Sequence, residues 1–407
     1  MKRNRLVLTL VLLAYTSMIS GLMAQNNKIE SFPGENKIHY ADDIITGSLS
    51  INEYLPLLRG KKVAVLSNQS GMINEKTHLV DTLRALGVNI ACIMSPEHGF
   101  RGNADAGEHV SSSIDEKTGI PILSLYGVKH NNKELTNNFD VMVFDLQDVG
   151  VRFYTYYVTM AKMMQACAEA GKEFILLDRP NPIGFLTDGP ILDMKYKSGV
   201  GYLPITTAHG MTLGELAQMI NGEKWLENGI QCKLTVIKCK NYTHDKLYRL
   251  PIKPSPNLPD MRSVYLYPSI CYFEATPVSL GRGTEKPFQM YGHPNMMGYS
   301  YNFTPVSTAG AKTPPLMNKK CNGVDLRKTP SVELINKKGI DLSYIIDAYN
   351  NLNIGDHFFR SFFELEIGVG YVRKMIEEGK SAEEIKAAWG QDVEKFKKQR
   401  APYMLYK

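Results

Sequence analysis

The 407-residue chain lacks several features that would settle its class at once. No G-x-G-x-x-G follows its first strand-like run, so a dinucleotide site is not supported. No cysteine and histidine spacing matches a structural zinc site, and no H-E-x-x-H occurs. Internal repeats and low-complexity stretches are absent. Charge of one sign is scarce too: the formal net charge of +6 falls to +3 once residues 1–24, with Lys2, Arg3, Arg5 and no acids, are removed. That balance is too mild to argue for nucleic acid.

An apolar run long enough for a membrane span is also missing at the N-terminus. Leu6 to Tyr15 is too short to cross a bilayer, but with basic residues before it and small residues up to Ala24 it reads as a secretory signal peptide. Cleavage is expected after Ala24. No cysteine near that point offers a lipid anchor, so the mature protein is expected in the periplasm or secreted, without a membrane span. The rest of the chain, 43% hydrophobic over the full sequence, can bury a large core and divides into two domains.

Six cysteines in an exported chain invite a disulfide reading. Cys92 and Cys167, however, fall inside a buried strand pattern and an apolar helix pattern, where free thiols behave as small hydrophobes. Cys232 and Cys239 flank CKLTVIKC at an odd separation, which turns them to opposite faces of a strand. Free, buried thiols are the expectation.

Strand and helix alternate after residue 60. Lys62–Ser67, Val88–Met94, Ile120–Leu125, Phe139–Phe144 and Lys172–Leu177 read as strands. Leu79, Val80, Leu83 and Leu86 mark one helical face, closed by Gly87. Tyr156, Tyr157, Met160, Met163, Met164 and Cys167 mark another, ended by Gly171. The pattern predicts an α/β protein: a Rossmann-like, mostly parallel sheet domain over 42–190 and a smaller mixed α/β domain over 191–407. Thr212 with Glu215 and Ser381 with Glu384 form capping boxes in that second part.

Polarity inverts where each strand ends, and ligands of open α/β sheets bind beyond the carboxyl ends of strands. Ser95-Pro96 is followed by Glu97, His98, Arg101, Asp105, Glu108 and His109 among small residues. The fourth strand delivers Asp145, Gln147, Asp148, Arg152, Tyr154 and Tyr156; the fifth delivers Asp178, Arg179 and Asn181. Asp148 and Arg152 read equally as an ion pair of the fold. In the second part Glu274 lies between aromatic residues, before the loop Gly281-Arg282-Gly283-Thr284-Glu285. Two readings of that loop stand: an anion-binding loop, or a tight turn with a solvated Arg282. Glu274 itself reads as a desolvated acid or as the partner of Arg282. Residues 301–323, rich in Pro, Asn, Thr and Lys, read as a long loop bordering a cleft.

SPEHGFRG, FDLQDVGVRFYTY, LDRPNP, MTLGEL, YPSICYFEATPVSLGRGTEKPF and GHP follow one another as in the exo-β-N-acetylmuramidase family, the NamZ-type glycoside hydrolases, and the chain resembles that family from about residue 42 to its end. One departure is Glu274-Ala275-Thr276 in place of Glu-Gly-Thr. The resemblance implies hydrolysis of the β-1,4 bond of non-reducing terminal N-acetylmuramic acid in peptidoglycan fragments, without cofactor or metal, in a site between the two domains. Glycoside hydrolysis uses two carboxyl groups, one of them protonated. Glu97 is carried over as the principal catalytic residue and general acid, Glu274 is the first choice as its partner and Asp148 the second, and His98 would orient or tune Glu97. Arg101, Arg152 and Arg282, the last with Thr284 in its loop, are the candidates to fork the lactyl carboxylate, while Tyr154 and Tyr156 would line the sugar. Two other classes stay open: a non-catalytic periplasmic binder of muropeptides or another anionic sugar, and a metal-assisted hydrolase built on Glu97, His98, Asp105, Glu108 and His109.

Overall fold

The structure, a computed structural model, describes residues 27–96, 100, 113–125, 132–335 and 339–407. Residues 1–24, Glu97, His98, Arg101, Asp105, Glu108 and His109 lie outside these. The larger sheet contains β1 (Val63–Ser67), β2 (Ile90–Ser95), β3 (Ser113–Ile114), β4 (Pro121–Ser124), β5 (Val141–Asp145), β6 (Glu173–Leu177) and β7 (Lys233–Ile237), in the order β3-β4-β2-β1-β5-β6-β7. Every pairing is parallel except that of β3 with β4. The five strands expected from the sequence are all present, displaced by no more than two residues at either end.

Alternation along the strands divides the core into two layers. Ala64, Leu66, Met142, Phe144, Phe174 and Leu176 face one way, into a cluster with Met160 and Met164 of α3 (Tyr156–Glu169) and Leu216 of α4 (Leu213–Gly222). Val63, Val65, Val141, Val143, Ile175 and Leu177 face the other, against Tyr54 and Leu58 of α1 (Ile51–Leu58) and Leu79 and Leu83 of α2 (Leu79–Ala85). Both expected capping boxes are formed, at Thr212/Glu215 and Ser381/Glu384. All six cysteines are free and buried, as their surroundings in the sequence imply.

The division at residue 190 needs correcting. The CKLTVIKC segment assigned to the second domain is β7, paired in parallel with β6 from Glu173↔Lys233 to Leu177↔Ile237, and α4 is the crossover that delivers it. As an edge strand it has one neighbour and alternates in exposure, so it carries no apolar run to announce sheet membership. The smaller part follows α5 (Met261–Ile270). It contains β8 (Met290–His293), β9 (Tyr301–Phe303) and β10 (Cys321–Asp325) as an antiparallel sheet of order β8-β10-β9. α6 (Ser343–Leu352), α7 (Phe362–Ile367) and the closing α8 (Tyr371–Glu377), α9 (Ala382–Ala388) and α10 (Gly390–Arg400) complete it. Among the described residues no helix is long and apolar enough to cross a membrane.

Arg152 ties the two parts together. Fully buried, it donates from Nη1 to the carbonyls of Pro190 (2.9 Å) and Ile205 (2.8 Å), and from Nη2 to those of Glu366 (3.1 Å) and Ile367 (2.7 Å) at the end of α7. Gly368 must be glycine there: its φ is +83° and a Cβ would stand 2.4 Å from Arg152 Nη2. Burial lowers the pKa of this guanidinium, and four carbonyl dipoles hold the charge in place of a carboxylate. Replacement by methionine strands those carbonyls, so Arg152→Met is expected to lose roughly 3 kcal/mol or more and to lower Tm by about 5 °C or more. Differential scanning calorimetry checks this; an unchanged Tm would show that other donors reach them.

Candidate active site

Strand order reverses direction between β1 and β5, and the crevice beyond their carboxyl ends is where such sheets bind ligands. From β1 comes Asn68-Gln69-Ser70. Asn68 Nδ2 donates to Tyr156 Oη at 2.7 Å, and Asn68 Oδ1 takes the Ser70 backbone N–H and hydroxyl. From β5 come Asp145, Gln147 and Asp148. Gln147 is held by Ser70 Oγ through its backbone and donates its amide to the Asp148 and Pro180 carbonyls. The second half of the chain supplies the carbonyl of Pro254, which accepts from Gln69 Nε2 at 3.2 Å and from Tyr154 Oη at 2.7 Å. β2, beside β1, ends at Ser95, two residues before Glu97. The chain returns at Phe100, buried with its ring 4.8 Å from that of His78, which bonds the Asn68 carbonyl.

Asp148 is 7% exposed; its Oδ1 accepts from the Gly150 N–H at 2.6 Å and its Oδ2 has no partner. His209 Nε2 faces it at 3.8 Å, too far for a hydrogen bond, and is likewise unpartnered. Because His209 Nδ1 accepts from the Met211 N–H, the ring carries its proton on Nε2, toward the acid. Gly150 (φ +82°) makes this turn possible, since a Cβ would stand 2.3 Å from Asn181 Oδ1. The ion pair that the sequence allowed between Asp148 and Arg152 is not formed. Arg152 is not open to ligand either: it is fully buried, with Nη1 and Nη2 spent on carbonyls inside the fold and Nε buried without a partner among the described residues. Tyr154 and Tyr156 are interior as well, 7% and 2% exposed, with edge-to-face rings 4.8 Å apart, so they form the floor behind the crevice and not an open sugar face.

Glu274 and Arg282 meet elsewhere. Arg282 donates to Glu274 Oε1 from Nε at 3.0 Å and from Nη2 at 2.5 Å. Of the alternatives open from sequence, the paired carboxylate is the one observed. They line a cavity of about 310 Å³ with Lys312, Arg360 and the 310–315 stretch of the long loop, and none of the described strand-end residues reaches it. Between cavity and crevice runs a chain of rings: Tyr154 to Tyr267 at 6.1 Å, Tyr267 to Phe288 at 5.0 Å, and the Arg282 guanidinium 5.2 Å over Phe288. Thr284 serves its own turn, donating to the Gly281 carbonyl at 2.7 Å and accepting from Lys286.

Sequence reasoning passed over Glu366. It is 1% exposed, accepts from Cys271 Sγ at 4.0 Å through Oε1, and has an unpartnered Oε2. Single ligand atoms of Cys271, Glu274 and Glu366 lie within 4.8 Å of one another. Burial first, then the Glu274 charge, pushes its carboxyl well above the usual range against the pull of Arg282, and burial raises the Cys271 thiol likewise. In the sequence FFELEIG nothing distinguishes Glu366 from a solvated helix glutamate.

Two models of one family, described as exo-β-N-acetylmuramidase NamZ, match in tandem: the N-terminal one over residues 63–262 and the C-terminal one over 265–406. The chain belongs to the NamZ family. The junction of the two models follows β7 and falls at α5, where the sheet also places it. NamZ of Bacillus subtilis (strain 168), a peptidoglycan β-N-acetylmuramidase, is 38% identical over 376 residues, covering 87% of this chain and 89% of its own length. Two DUF1343 family proteins from Bacteroides fragilis NCTC 9343 share the fold. One has TM-score 0.84 at 59% identity, over 90% of this chain and 99% of the other; the second has 0.76 at 30%, over 89% and 99%. As a NamZ-family member the protein is a glycoside hydrolase.

The last parallel junction of the NamZ fold is held by acids as well. Asp145 pairs with Arg179, both buried, at 2.6 and 2.9 Å. Burial raises the Asp178 carboxyl to about 6, even though it accepts from Thr212 Oγ1, the Gly214 N–H and Tyr406 Oη. An acid whose folded pKa lies above its unfolded value near 4 binds more protons in the folded state. Stability therefore falls as pH rises from about 4 to about 6. Relative to Asp178→Asn, the wild type should lose stability over that window, on the order of 3 kcal/mol. Urea unfolding at pH 4, 5, 6 and 7 checks it; parallel curves for the two proteins would refute it.

Proposed function

We propose that this chain is an exo-acting β-N-acetylmuramidase that hydrolyses the β-1,4 bond of non-reducing terminal N-acetylmuramic acid in peptidoglycan fragments. The observation that carries it is the likeness to B. subtilis NamZ along nearly the whole of both chains, through both parts of the fold. Glu97 is the general acid of this reading. Its support is chain position: two residues past the end of β2, next to the β1/β5 switch point.

Asp148 is preferred over Glu274 as the second carboxyl group, reversing the order inferred from sequence. It follows the carboxyl end of β5, across β1 from β2, on the same edge of the sheet as the Glu97 loop. Its Oδ2 is buried and without a hydrogen-bond partner among the described residues, a carboxylate oxygen not committed to the fold, whereas Glu274 has Arg282 as its partner in a different cavity. With Glu97 giving a proton to the leaving oxygen, Asp148 would act on the opposite side of the sugar ring. His98 and Arg101, from the same loop as Glu97, complete the reading as a positioning residue and a ligand contact. The substrate lies outside the cytoplasm, and the basic, apolar, small-residue order of residues 1–24 supports export by a cleaved signal. Mass spectrometry of the exported protein, with Gln25 expected as its first residue, tests that.

Incubation of the mature protein with a chromogenic β-N-acetylmuramide and with the matching N-acetylglucosaminide tests the activity. Release from the muramide alone is expected, with kcat lower by about 10³-fold or more in Glu97→Gln and by 10²-fold or more in Asp148→Asn, an order set by acid–base catalysis. Tight muropeptide binding without turnover would instead mark a binding protein. Full activity in Asp148→Asn would remove Asp148 from the chemistry.

A further inference from the structure

Two buried polar groups face each other just past the end of β5. Asp148 Oδ2 and His209 Nε2 have no hydrogen-bond partner among the described residues, and 3.8 Å separates Nε2 from Asp148 Oδ1. Buried polar atoms left unmatched are costly and uncommon, and here two of them belong to one facing pair. The rest of His209 is committed. Its backbone N–H donates to the Gly150 carbonyl at 3.2 Å, while the Gly150 N–H is the donor to Asp148 Oδ1, so a single residue spaces ring and acid. The carbonyls of His209 and Gly210 accept from Arg400 Nη1, at 2.8 and 2.6 Å, at the end of α10. His209 Nδ1 accepts from the Met211 N–H at 3.2 Å, and the Met211 carbonyl takes Asn181 Nδ2 at 2.9 Å. Nε2–H is the one group of this residue that the fold does not use. The Tyr154 hydroxyl, close enough to feel the Asp148 charge, gives its proton to the Pro254 carbonyl instead.

We propose that His209 is the positioning residue of Asp148: its Nε2–H joins the Gly150 N–H on Oδ1 and holds the carboxylate in one orientation during turnover. This rests on the muramidase reading and on Asp148 as its second carboxyl group. An ordinary N–H···O bond is about 3.0 Å long, so the contact closes with a small turn of the Asp148 side chain. Catalytic hydrogen bonds tighten in this way when substrate binds. Oδ1 then has two donors and Oδ2 none, which sets the carboxylate's orientation from one oxygen. An imidazole suits the place, because with Nδ1 as an acceptor it donates from Nε2 without burying a second charge. The two ring nitrogens have separate duties, Nδ1 for the turn and Nε2 for the acid, and each can be kept without the other.

Asparagine places its amide oxygen near Nδ1 and glutamine its amide N–H near Nε2. His209→Asn therefore keeps the turn and loses the donor, and His209→Gln does the reverse. Turnover of the chromogenic muramide by the mature protein, with Tm measured on each variant, tests the assignment. His209→Asn is expected to lower kcat about tenfold with KM within about twofold, the range of one charge-assisted hydrogen bond that acts once substrate is bound. His209→Gln should recover most of that loss. In the Asp148→Asn background His209→Asn should change kcat by less than about twofold, because a residue acting through Asp148 has nothing left to position. Activity that follows Tm, with His209→Asn the better of the two variants, overturns the proposal and leaves His209 a residue of the turn. Losses that multiply in the double variant overturn it as well. If His209→Asn does not fold, His209→Gln decides alone: kcat within about threefold of wild type supports the donor, and a fall of about tenfold or more at unchanged Tm refutes it. Wild-type kcat in His209→Asn beside an inactive Asp148→Asn would sink the positioning role and spare the muramidase reading. Full activity in Asp148→Asn would remove both residues from the chemistry, and absence of turnover in the wild type would sink the reading itself.

Discussion

A guanidinium with no carboxylate to answer it sits where the two halves of the molecule meet. Arg152 leaves the strand-end segment after β5, and its four hydrogen bonds reach Pro190, Ile205 and the last turn of α7. A paired charge would fix one neighbour, whereas an unpaired one, satisfied by carbonyls, fixes several stretches of backbone at once. Asp148 of the crevice stands four residues before Arg152, and Glu366, next to Glu274 of the cavity, gives one of the four carbonyls. One side chain thus sets the relative position of both sites. Neither could drift without uncovering the charge.

Around that anchor the sheet provides direction. β1, β2 and β5 run parallel and end together, so three loops of different sequence emerge on one edge. The second half of the chain closes over them through a backbone atom, the Pro254 carbonyl, which takes hydrogen bonds from Gln69 and Tyr154. A carbonyl keeps its place whatever side chain lies above it. The crevice is therefore bounded by both halves of the chain, with His209 of the later half facing Asp148 from the end of β5.

Elements whose cause is local were legible in the sequence. Strand runs such as KVAVLS and FDVMVF, the Thr212/Glu215 capping box and the burial of Cys92 and Cys167 follow from residues within a few positions of one another. β7 was not, because KLTVI has the composition of an edge strand and its partner lies 60 residues earlier. Arg152 carries the signature of a ligand-binding arginine, and only tertiary structure shows it buried with Nη1 and Nη2 bound to carbonyls. Glu366 is the extreme case: a glutamate in a six-residue helix whose burial depends on Cys271, Glu274 and Arg282, all about 90 residues away. Glu97, carried over from SPEHG, is the one candidate whose assignment owes nothing to side-chain geometry.

Glu366 stands behind the cavity, beside Glu274, and does not line it. Ionised together, Glu274 and Glu366 would set two negative charges beside the one Arg282 guanidinium. Burial opposes it, because the second charge would have to exist 1% exposed, beside the first, with one oxygen unpartnered among the described residues. Desolvation makes Glu366 costly as an ion, and Glu274 is the carboxylate that holds Arg282, through two donors on one oxygen.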